Sequence, residues 1–457
     1  MEQENIQSVS SPLETDPIGK LIFKYSIPAV ISSLVGSIYN IVDQIFIGNS
    51  VGKLGNAATN VAFPLVMIIV TLAMMFGVGG ASAFSLYLGA KDERKAKSVV
   101  GTAISMLILS GAAIGIVSFV FIESILTVFG GRGQTLEYAI EYTRIVALGA
   151  PFAMLETGGS QLIRADGSPR YAMLSNMSGA VLNCILDPIF IFGLNMGMTG
   201  AALATVIGQS VGGALILFYF ARFKSFKLTL TLRGFIPNRQ ALRRICSLGM
   251  AAGANQLAVT AVQIVMNNTL GHYGELSQYG RDIPLACVGV ITKVSSVFSG
   301  VMFGIAQSTQ PIIGYNYGAK NTERVKATFK RAAIIILCIS TVAFLCFQIF
   351  PRQIIRIFGS GDELYYEFGE RYFHIFLFCI IIAGLQILCA QFFPSIGKGG
   401  AGMVVSLSRQ VFFLLPLVVI FPMIWGIDGV LWAGPIADGA SGIMGLLLVR
   451  REMKKWQ

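Results

Sequence analysis

Apolar stretches of about 20 residues recur along the whole chain, and this pattern restricts the possible folds more than any other feature. A helix needs about 20 apolar residues to cross the ~30 Å hydrocarbon core of a bilayer. We predict twelve such spans, at 22–48, 57–78, 98–122, 138–159, 170–193, 198–221, 244–270, 283–315, 330–350, 370–392, 401–424 and 428–449. The eighth is too long for one perpendicular crossing, so it should tilt or extend beyond the bilayer. The expected fold is all-α and integral to the membrane.

The composition argues against a soluble enzyme. Hydrophobic residues make up 54% of the chain and charged residues 12%, with a mean hydropathy of +0.70. Soluble domains carry about 25% charged residues, roughly twice as many. The two histidines are too few for a zinc site, and the seven cysteines form no CxxC pair. We therefore expect no cofactor.

Basic residues are distributed unequally between the two sides of the predicted topology. If the N-terminus is cytoplasmic, the inner side receives Lys20, Lys24, Lys91, Arg94, Lys95, Lys97, Arg164, Arg170, the basic residues of 222–244 and 320–331, Lys398 and those of 450–455. The outer side receives only Lys53, Arg132, Arg281, Arg352, Arg356 and Arg371. This asymmetry follows the positive-inside rule. It predicts a multi-pass protein of the cytoplasmic membrane with both termini cytoplasmic, and it explains the +11 charge by topology and lipid contact, not by nucleic-acid binding.

The chain also contains an internal repeat. Three short patterns recur at an offset of about 227–229 residues: 76–91 with 303–320, 125–130 with 354–359, and 197–200 with 426–429. We predict two lobes of six helices, 1–228 and 229–457, separated near the basic linker 222–244. Six is an even number, so the lobes should be parallel and related by a pseudo-two-fold axis along the membrane normal. Parallel repeats occur in transporters that bind substrate near mid-membrane between the halves.

Acidic side chains inside the spans require a reason, because a charge at the bilayer centre costs about 2.5–3.5 kcal/mol even on insertion scales. Four acids there are singled out: Asp43, Glu156, Asp187 and Asp438. Two of them share a helical face with other polar or small residues: Ser33, Gly36, Asn40 and Asp43 on span one, and Asn176, Ala180, Asn183 and Asp187 on span five. On span six, Thr205 and Gln209 lie one turn apart. Counting 1.5 Å per residue places Asp43, Asp187 and Thr205 roughly 10 Å below the outer surface.

These side chains form the candidate coupling site: Asp43, Asn183, Asp187 and Thr205. Carboxylate, amide and hydroxyl oxygens are hard ligands that suit a cation such as Na⁺. The same acids, partly desolvated and close together, could instead hold a proton. The alternative is a structural polar network that fastens three helices. The second lobe does not reproduce the site, because the residue equivalent to Asp187 in the repeat is Pro416.

Other polar residues are weaker candidates for the cavity or for accessory roles: Tyr39, Asn40, Glu156, Asn176, Gln209, Gln307, Lys293, Arg409 and Asp438. Glu156 and Asp438 could equally make helix-packing hydrogen bonds. Lys293 and Arg409 could pair with an acid such as Asp438, or extend toward the membrane surface.

Taken together, the motifs resemble a known family. An Ile-Pro pair precedes Tyr-Asn-Ile-Val-Asp43 in span one, Arg164-Ala-Asp-Gly-Ser-Pro169 follows span four, and Asn183-x3-Asp187, Thr205 and Gly-Tyr-Asn-Tyr-Gly-Ala-Lys320 come later. This arrangement resembles the prokaryotic multidrug and toxic compound extrusion (MATE) transporters, over essentially the whole chain. The resemblance implies a V-shaped pair of six-helix bundles that export bulky organic cations, driven by inward flow of Na⁺ or H⁺.

The resemblance also carries over a cation site in the first lobe, at Asp43, Asn183, Asp187 and Thr205. Some branches of the family have a glutamate in helix seven and an aspartate in helix ten. This chain has neither, so no ion site is expected in the second lobe. The expected partners are small organic cations and membrane lipids, and the expected state is a monomer.

Two rival functions fit a chain of this kind. A flippase for lipid-linked cell-envelope precursors should have a strongly cationic central cavity for pyrophosphate, whereas most basic residues lie in loops or at the ends of spans and only Lys293, Arg409 and Arg144 lie further inside. A membrane-embedded enzyme would need a catalytic constellation at one depth, and the histidines and cysteines do not cluster. The four site oxygens serve either ion, so the sequence leaves Na⁺ and H⁺ coupling both open.

Overall fold

The computed structural model describes residues 12–221, 236–358 and 361–456, and every regular element in this part of the chain is helical. The side chain of Lys53, most of the predicted basic linker (222–235) and Gly359 of one repeat pair lie outside the described residues. Twelve long helices are present within them. They are α1 (Ile18–Ser50), α2 (Lys53–Gly89), α3 (Glu93–Val120), α4 (Gly133–Met154, then Leu155–Gly159 and Ser160–Ala165), α5 (Pro169–Pro188, then Ile189–Gly193), α6 (Gly197–Phe220), α7 (Arg239–Glu275), α8 (Asp282–Gly318), α9 (Thr322–Ile349), α10 (Glu363–Phe376, then Ile380–Ser395), α11 (Gly399–Leu407, Ser408–Leu414 and Leu415–Trp425) and α12 (Ile427–Lys454). Short helices span Pro12–Thr15, Ile122–Val128 and Pro351–Phe358.

The predicted all-helical membrane fold is confirmed. Ten of the long helices in the described part are long and apolar enough to cross a membrane, and α10, bent by 51° at its break, is an eleventh. The twelfth is α4, whose first half carries Glu137, Glu141 and Arg144. The helices exceed the apolar spans: α2, α7 and α8 have 37 residues each, or roughly 55 Å at 1.5 Å per residue. They therefore extend well beyond a ~30 Å core.

The sequence repeat corresponds to a repeated local structure. Lys91 and Lys320, at equivalent positions, both have the rare positive φ, 59° and 61°. The next residue in each case caps the following helix, since Asp92 accepts from the backbone N–H of Lys95 and Asn321 from that of Arg324, both at 3.1 Å. The same turn thus connects α2 to α3 and α8 to α9, as expected for two homologous lobes.

Both ends of the described chain lie at one face of the helix bundle. The Leu13 carbonyl accepts from Asn316 near the end of α8, at 3.1 Å, and the Trp456 ring lies 5.5 Å from that of Tyr317. We call this the terminal face. It is also where α2 and α8 end.

The two lobes are in backbone contact at the terminal face. A Cβ atom on Gly89 of α2 would lie 1.9 Å from the Tyr315 carbonyl oxygen of α8, and one on Gly318 of α8 would lie 2.2 Å from the Leu86 carbonyl oxygen of α2. The contact is reciprocal, because the two pairs occupy equivalent positions of the repeat. Only glycine permits so close an approach. The lobes therefore close against each other at this face.

Candidate functional site

A cavity of about 320 Å³ lies where α1, α4, α5, α6 and α8 converge. Eight of the residues selected from the sequence line it: Tyr39, Asn40, Glu156, Asn176, Asn183, Thr205, Gln209 and Gln307. Phe303 and Met74 add apolar wall. Gln307 and Phe303 come from the second lobe and most of the others from the first, so the cavity lies between the lobes.

The four residues of the predicted coupling site are all buried and lie beside this cavity. Asp43 is 7% exposed and Asp187 is 0% exposed. Their carboxyl groups are close enough to share a hydrogen bond when one of them carries a proton. Asn183 Nδ2 donates to Thr205 Oγ1 at 3.2 Å, and the hydroxyl of Tyr142 lies next to that of Thr205. The structure thus brings α1, α5 and α6 together at this point.

Four acceptor oxygens in this cluster have no hydrogen-bond partner among the described residues: Asp43 Oδ1, Asn183 Oδ1, Asp187 Oδ1 and Asp187 Oδ2. Buried acceptors without donors are costly, about 1–3 kcal/mol each and more when charged. Native proteins leave few of them, and each requires an explanation. A bound cation or proton would satisfy these oxygens. The donor set, carboxylates with an amide oxygen and a nearby hydroxyl, suits a hard monovalent cation.

Local helix geometry positions these acids. α5 changes from α- to π-type after Pro188, the residue that follows Asp187 and has no backbone N–H to donate to the preceding turn. α4 likewise contains a π-turn at Leu155–Gly159, and Glu156 lies within it. Single π-turns inside α-helices occur frequently at functional sites.

Glycines on neighbouring helices make room for the Glu156 carboxyl group. A Cβ atom on Gly179 of α5 would lie 2.7 Å from Glu156 Oε1, and one on Gly212 of α6 would lie 2.6 Å from it. Any other residue at these positions would push the carboxyl group aside. The carboxyl group therefore lies between α5 and α6, on the cavity wall.

Three of the weaker candidates lie away from the cavity. Arg409 Nε contacts Asp438 Oδ1 at 2.5 Å, joining α11 to α12, and the Asp438 side chain is 4% exposed. Lys293 is exposed on α8. The pairing of Arg409 with Asp438 explains why α12 contains a buried acid.

Breaking this ion pair from one side should destabilise the protein more than removing both partners. Asp438→Leu leaves the Arg409 charge uncompensated and should lower the free energy of unfolding by about 3–5 kcal/mol, whereas Arg409→Met/Asp438→Leu should be near neutral. Thermal unfolding of the variants in one detergent measures this difference. Equal destabilisation by the single and double variants would contradict it.

The sequence prediction missed the polar residues at the C-terminal end of α4: Thr157, Ser160, Gln161 and Arg164, all of which line the cavity. Arg164 was expected in a basic cytoplasmic loop, with span four ending at 159. Instead the helix continues to Ala165, and Arg164 is 8% exposed on the cavity wall. The spacing of Ser160, Gln161 and Arg164 is typical of one polar helical face, and that signal could have extended the helix.

These features define an integral membrane transporter built from two repeated helical lobes around a polar cavity. The MatE family model matches residues 28–189 and 251–420, once in each half, and the chain belongs to this family, the MATE transporters. The predicted family is thereby confirmed.

Curated relatives and solved structures agree. The chain is 27% identical to the multidrug export protein MepA of Staphylococcus aureus, over 95% of this chain and 94% of that protein, and 26% identical to MepA of Staphylococcus haemolyticus over the same shares. A multidrug resistance MATE transporter in an outward-facing conformation matches with a TM-score of 0.89 and 25% identity, over 96% of each chain. A crystal structure of MATE in complex with MaL6 matches with a TM-score of 0.90 and 25% identity, over 97% of this chain and 98% of that one. The chain is thus a multi-pass membrane transporter of a multidrug efflux family.

Proposed function

We propose that this protein is a secondary active antiporter of the cytoplasmic membrane, which exports organic cations in exchange for Na⁺ or H⁺ by alternating access. The observation that carries the proposal is the group of four unpartnered oxygens on Asp43, Asn183 and Asp187. A structural polar network would be expected to satisfy its own members. These oxygens instead fit an exchangeable ion supplied from solution.

The ion acts by binding one state of the transporter more tightly than the other. In the outward-facing state, Na⁺ or a proton occupies the site between Asp43 and Asp187. The amide oxygen of Asn183 and the hydroxyl oxygen of Thr205 complete this site. Binding joins α1 to α5, shifts the packing of the first lobe and weakens binding of the drug. The lobes then rock, the ion leaves toward the cytoplasm, and a new drug molecule enters.

The positive-inside pattern makes the terminal face cytoplasmic, with both termini on that side. The backbone contact of Gly89 and Gly318 then closes the cytoplasmic side, so the described conformation faces outward. We assign the moving units as the lobes 1–228 and 229–457.

The cavity chemistry suits cations better than lipid pyrophosphates. The carboxyl group of Glu156 lines it together with amides of Asn176, Gln209 and Gln307, and Arg164 is its one basic residue among those described. A pyrophosphate flippase would require several basic groups here. Small organic, mainly cationic substrates are therefore proposed, with membrane lipids around a monomeric transporter.

The test is transport by the purified protein in liposomes. Export of a fluorescent organic cation is followed while a Na⁺ gradient or a pH gradient is imposed separately. We expect one of the two gradients to drive export, which also identifies the coupling ion. If neither gradient moves any cationic dye, the antiporter proposal is wrong and the flippase becomes the leading hypothesis.

A further inference from the structure

The guanidinium group of Arg164 is buried without an acidic partner. Its Nη1 donates to the amide oxygens of Gln307 and, at 3.5 Å, of Gln161, and its Nη2 donates to the Ser160 hydroxyl at 3.4 Å. It forms no ion pair with any described residue. The nearest acid along the chain, Asp166, instead accepts from the Tyr219 hydroxyl at 2.6 Å. A buried charge with only neutral partners is costly, so a missing anion is the simplest explanation.

A second, independent donor lies beside it. Gln307 of α8 is 5% exposed, and its Nε2 has no hydrogen-bond partner in the part of the chain that the structure describes. Because the Gln307 oxygen accepts from Arg164, the amide orientation is fixed: a flipped amide would place N–H groups against the guanidinium. The unused N–H of Gln307 and the guanidinium of Arg164 therefore both lack an anionic acceptor, and both line the cavity.

We propose that Arg164 and Gln307 form an anion subsite that receives a carboxylate or sulfonate of the transported molecule. Guanidinium groups bind carboxylates through charge-assisted hydrogen bonds, frequently two in parallel, and the amide N–H adds a third donor. The inference rests on the proposed export function and deepens it, because it names the residues that hold the anionic end of a zwitterionic substrate.

The positively charged end of such a substrate also has a possible contact on the cavity wall, the carboxyl group of Glu156. Glu156 lies eight residues before Arg164 on α4, which corresponds to roughly 12 Å along a helix. Its carboxyl group also lines the cavity and forms no ion pair with a described residue. A flat amphiphile with an amine at one end and a carboxylate about one nanometre away would contact both groups. The subsite also spans the lobes, since α4 and α8 belong to different halves of the chain.

Matched dyes can test the subsite. Rhodamine 123 is a cationic methyl ester, and rhodamine 110 is the same molecule with a free carboxylate, zwitterionic at neutral pH. Their affinities for the purified protein are measured by fluorescence anisotropy, and their export is measured in liposomes. We expect Arg164→Gln to weaken binding of rhodamine 110 about tenfold or more and to change binding of rhodamine 123 little.

A second variant keeps the test independent of folding defects. Gln307→Glu supplies a carboxylate that pairs with Arg164 inside the protein. It should abolish selective binding of rhodamine 110 while preserving or strengthening that of rhodamine 123, and Arg164→Lys should retain part of the wild-type selectivity.

Equal losses for both dyes in Arg164→Gln and Gln307→Glu would overturn the inference and make Arg164 a link between the lobes only. Failure of the wild-type protein to export rhodamine 123 under either gradient would instead contradict the proposed function. The binding measurements would still decide on the subsite.

Discussion

Replacing Asp187 with asparagine is expected to abolish ion-driven export while leaving a folded, membrane-inserted protein. Asp187 is fully buried, and neither of its carboxylate oxygens has a hydrogen-bond partner among the residues described. Asparagine has nearly the same shape, so the packing of α5 should persist, but the side chain can neither neutralise a cation nor release a proton. Interactions with a charged group contribute about 1.5–3 kcal/mol each, and every 1.4 kcal/mol corresponds to a factor of ten. Gradient-driven export of a cationic dye should therefore fall at least about tenfold. Asp43→Asn should have the same effect.

The matched control is a variant of an acid that already has an ion-pair partner in the structure. Asp428 pairs with Arg371 at 2.9 Å, and both side chains are 40% exposed. Asp428→Asn should transport like the wild type, since exposed ion pairs contribute little. Transport by Asp187→Asn at the wild-type rate, with the same gradient dependence, would eliminate this residue from the coupling site. Binding of the dye in detergent should survive in all three variants and separates coupling from substrate recognition.

Replacing Gly318 with alanine should shift the transporter away from the described conformation. The new Cβ atom would lie 2.2 Å from the Leu86 carbonyl oxygen, a distance that no real contact tolerates. The backbones of α2 and α8 would have to separate at the terminal face. Overpacking of this kind costs about 1–3 kcal/mol, which changes the ratio of two conformations by about 5- to 150-fold. Because transport requires both conformations, the rate should fall steeply.

Distances between spin labels measure this shift. Glu93 and Glu323 are exposed at the starts of α3 and α9, at the terminal face, and can each be changed to cysteine after the seven native cysteines are replaced. Gly318→Ala should lengthen the mean distance or populate a longer one. Gly289→Ala is the matched control on the same helix, because nothing lies within 4 Å of its Cβ position. An unchanged distance distribution in Gly318→Ala would show that the contact does not hold this face closed.

The sequence predicted best those features that depend on residues close together in the chain. Runs of apolar residues predicted the helices, because a bilayer requires about 20 such residues per crossing. The helical period placed Asn183 and Asp187 on one face, and equal depth placed Asp43 and Thr205 near them. The structure does bring these four residues together beside one cavity.

Contacts between residues far apart in the sequence could not be predicted in this way. Nothing in the sequence around Arg164 indicates that its partner is Gln307, which lies 143 residues away in the other lobe. The sequence Asp166-Gly-Ser-Pro is typical of a loop, so the neighbouring basic residue was assigned to that loop. The structure shows instead that α4 continues to Ala165 and that the guanidinium group of Arg164 lies on the cavity wall. The π-turns beside Asp187 and Glu156 depend on tertiary packing and were not predicted either.

The pairing of Asp438 with Arg409 has implications for how this protein could change over evolutionary time. In the second lobe, the buried carboxylate of Asp438 is neutralised by the guanidinium group of Arg409, which is covalently part of the chain and does not exchange with ions in solution. In the proposed mechanism, the acids of the first lobe are neutralised instead by an ion from the surrounding solution. In the proposed mechanism, one half of the repeat responds to the ions of the surrounding solution and the other does not. A descendant living in salt or in acid could be retuned through a few residues of α1, α5 and α6, while the other half stays as it is.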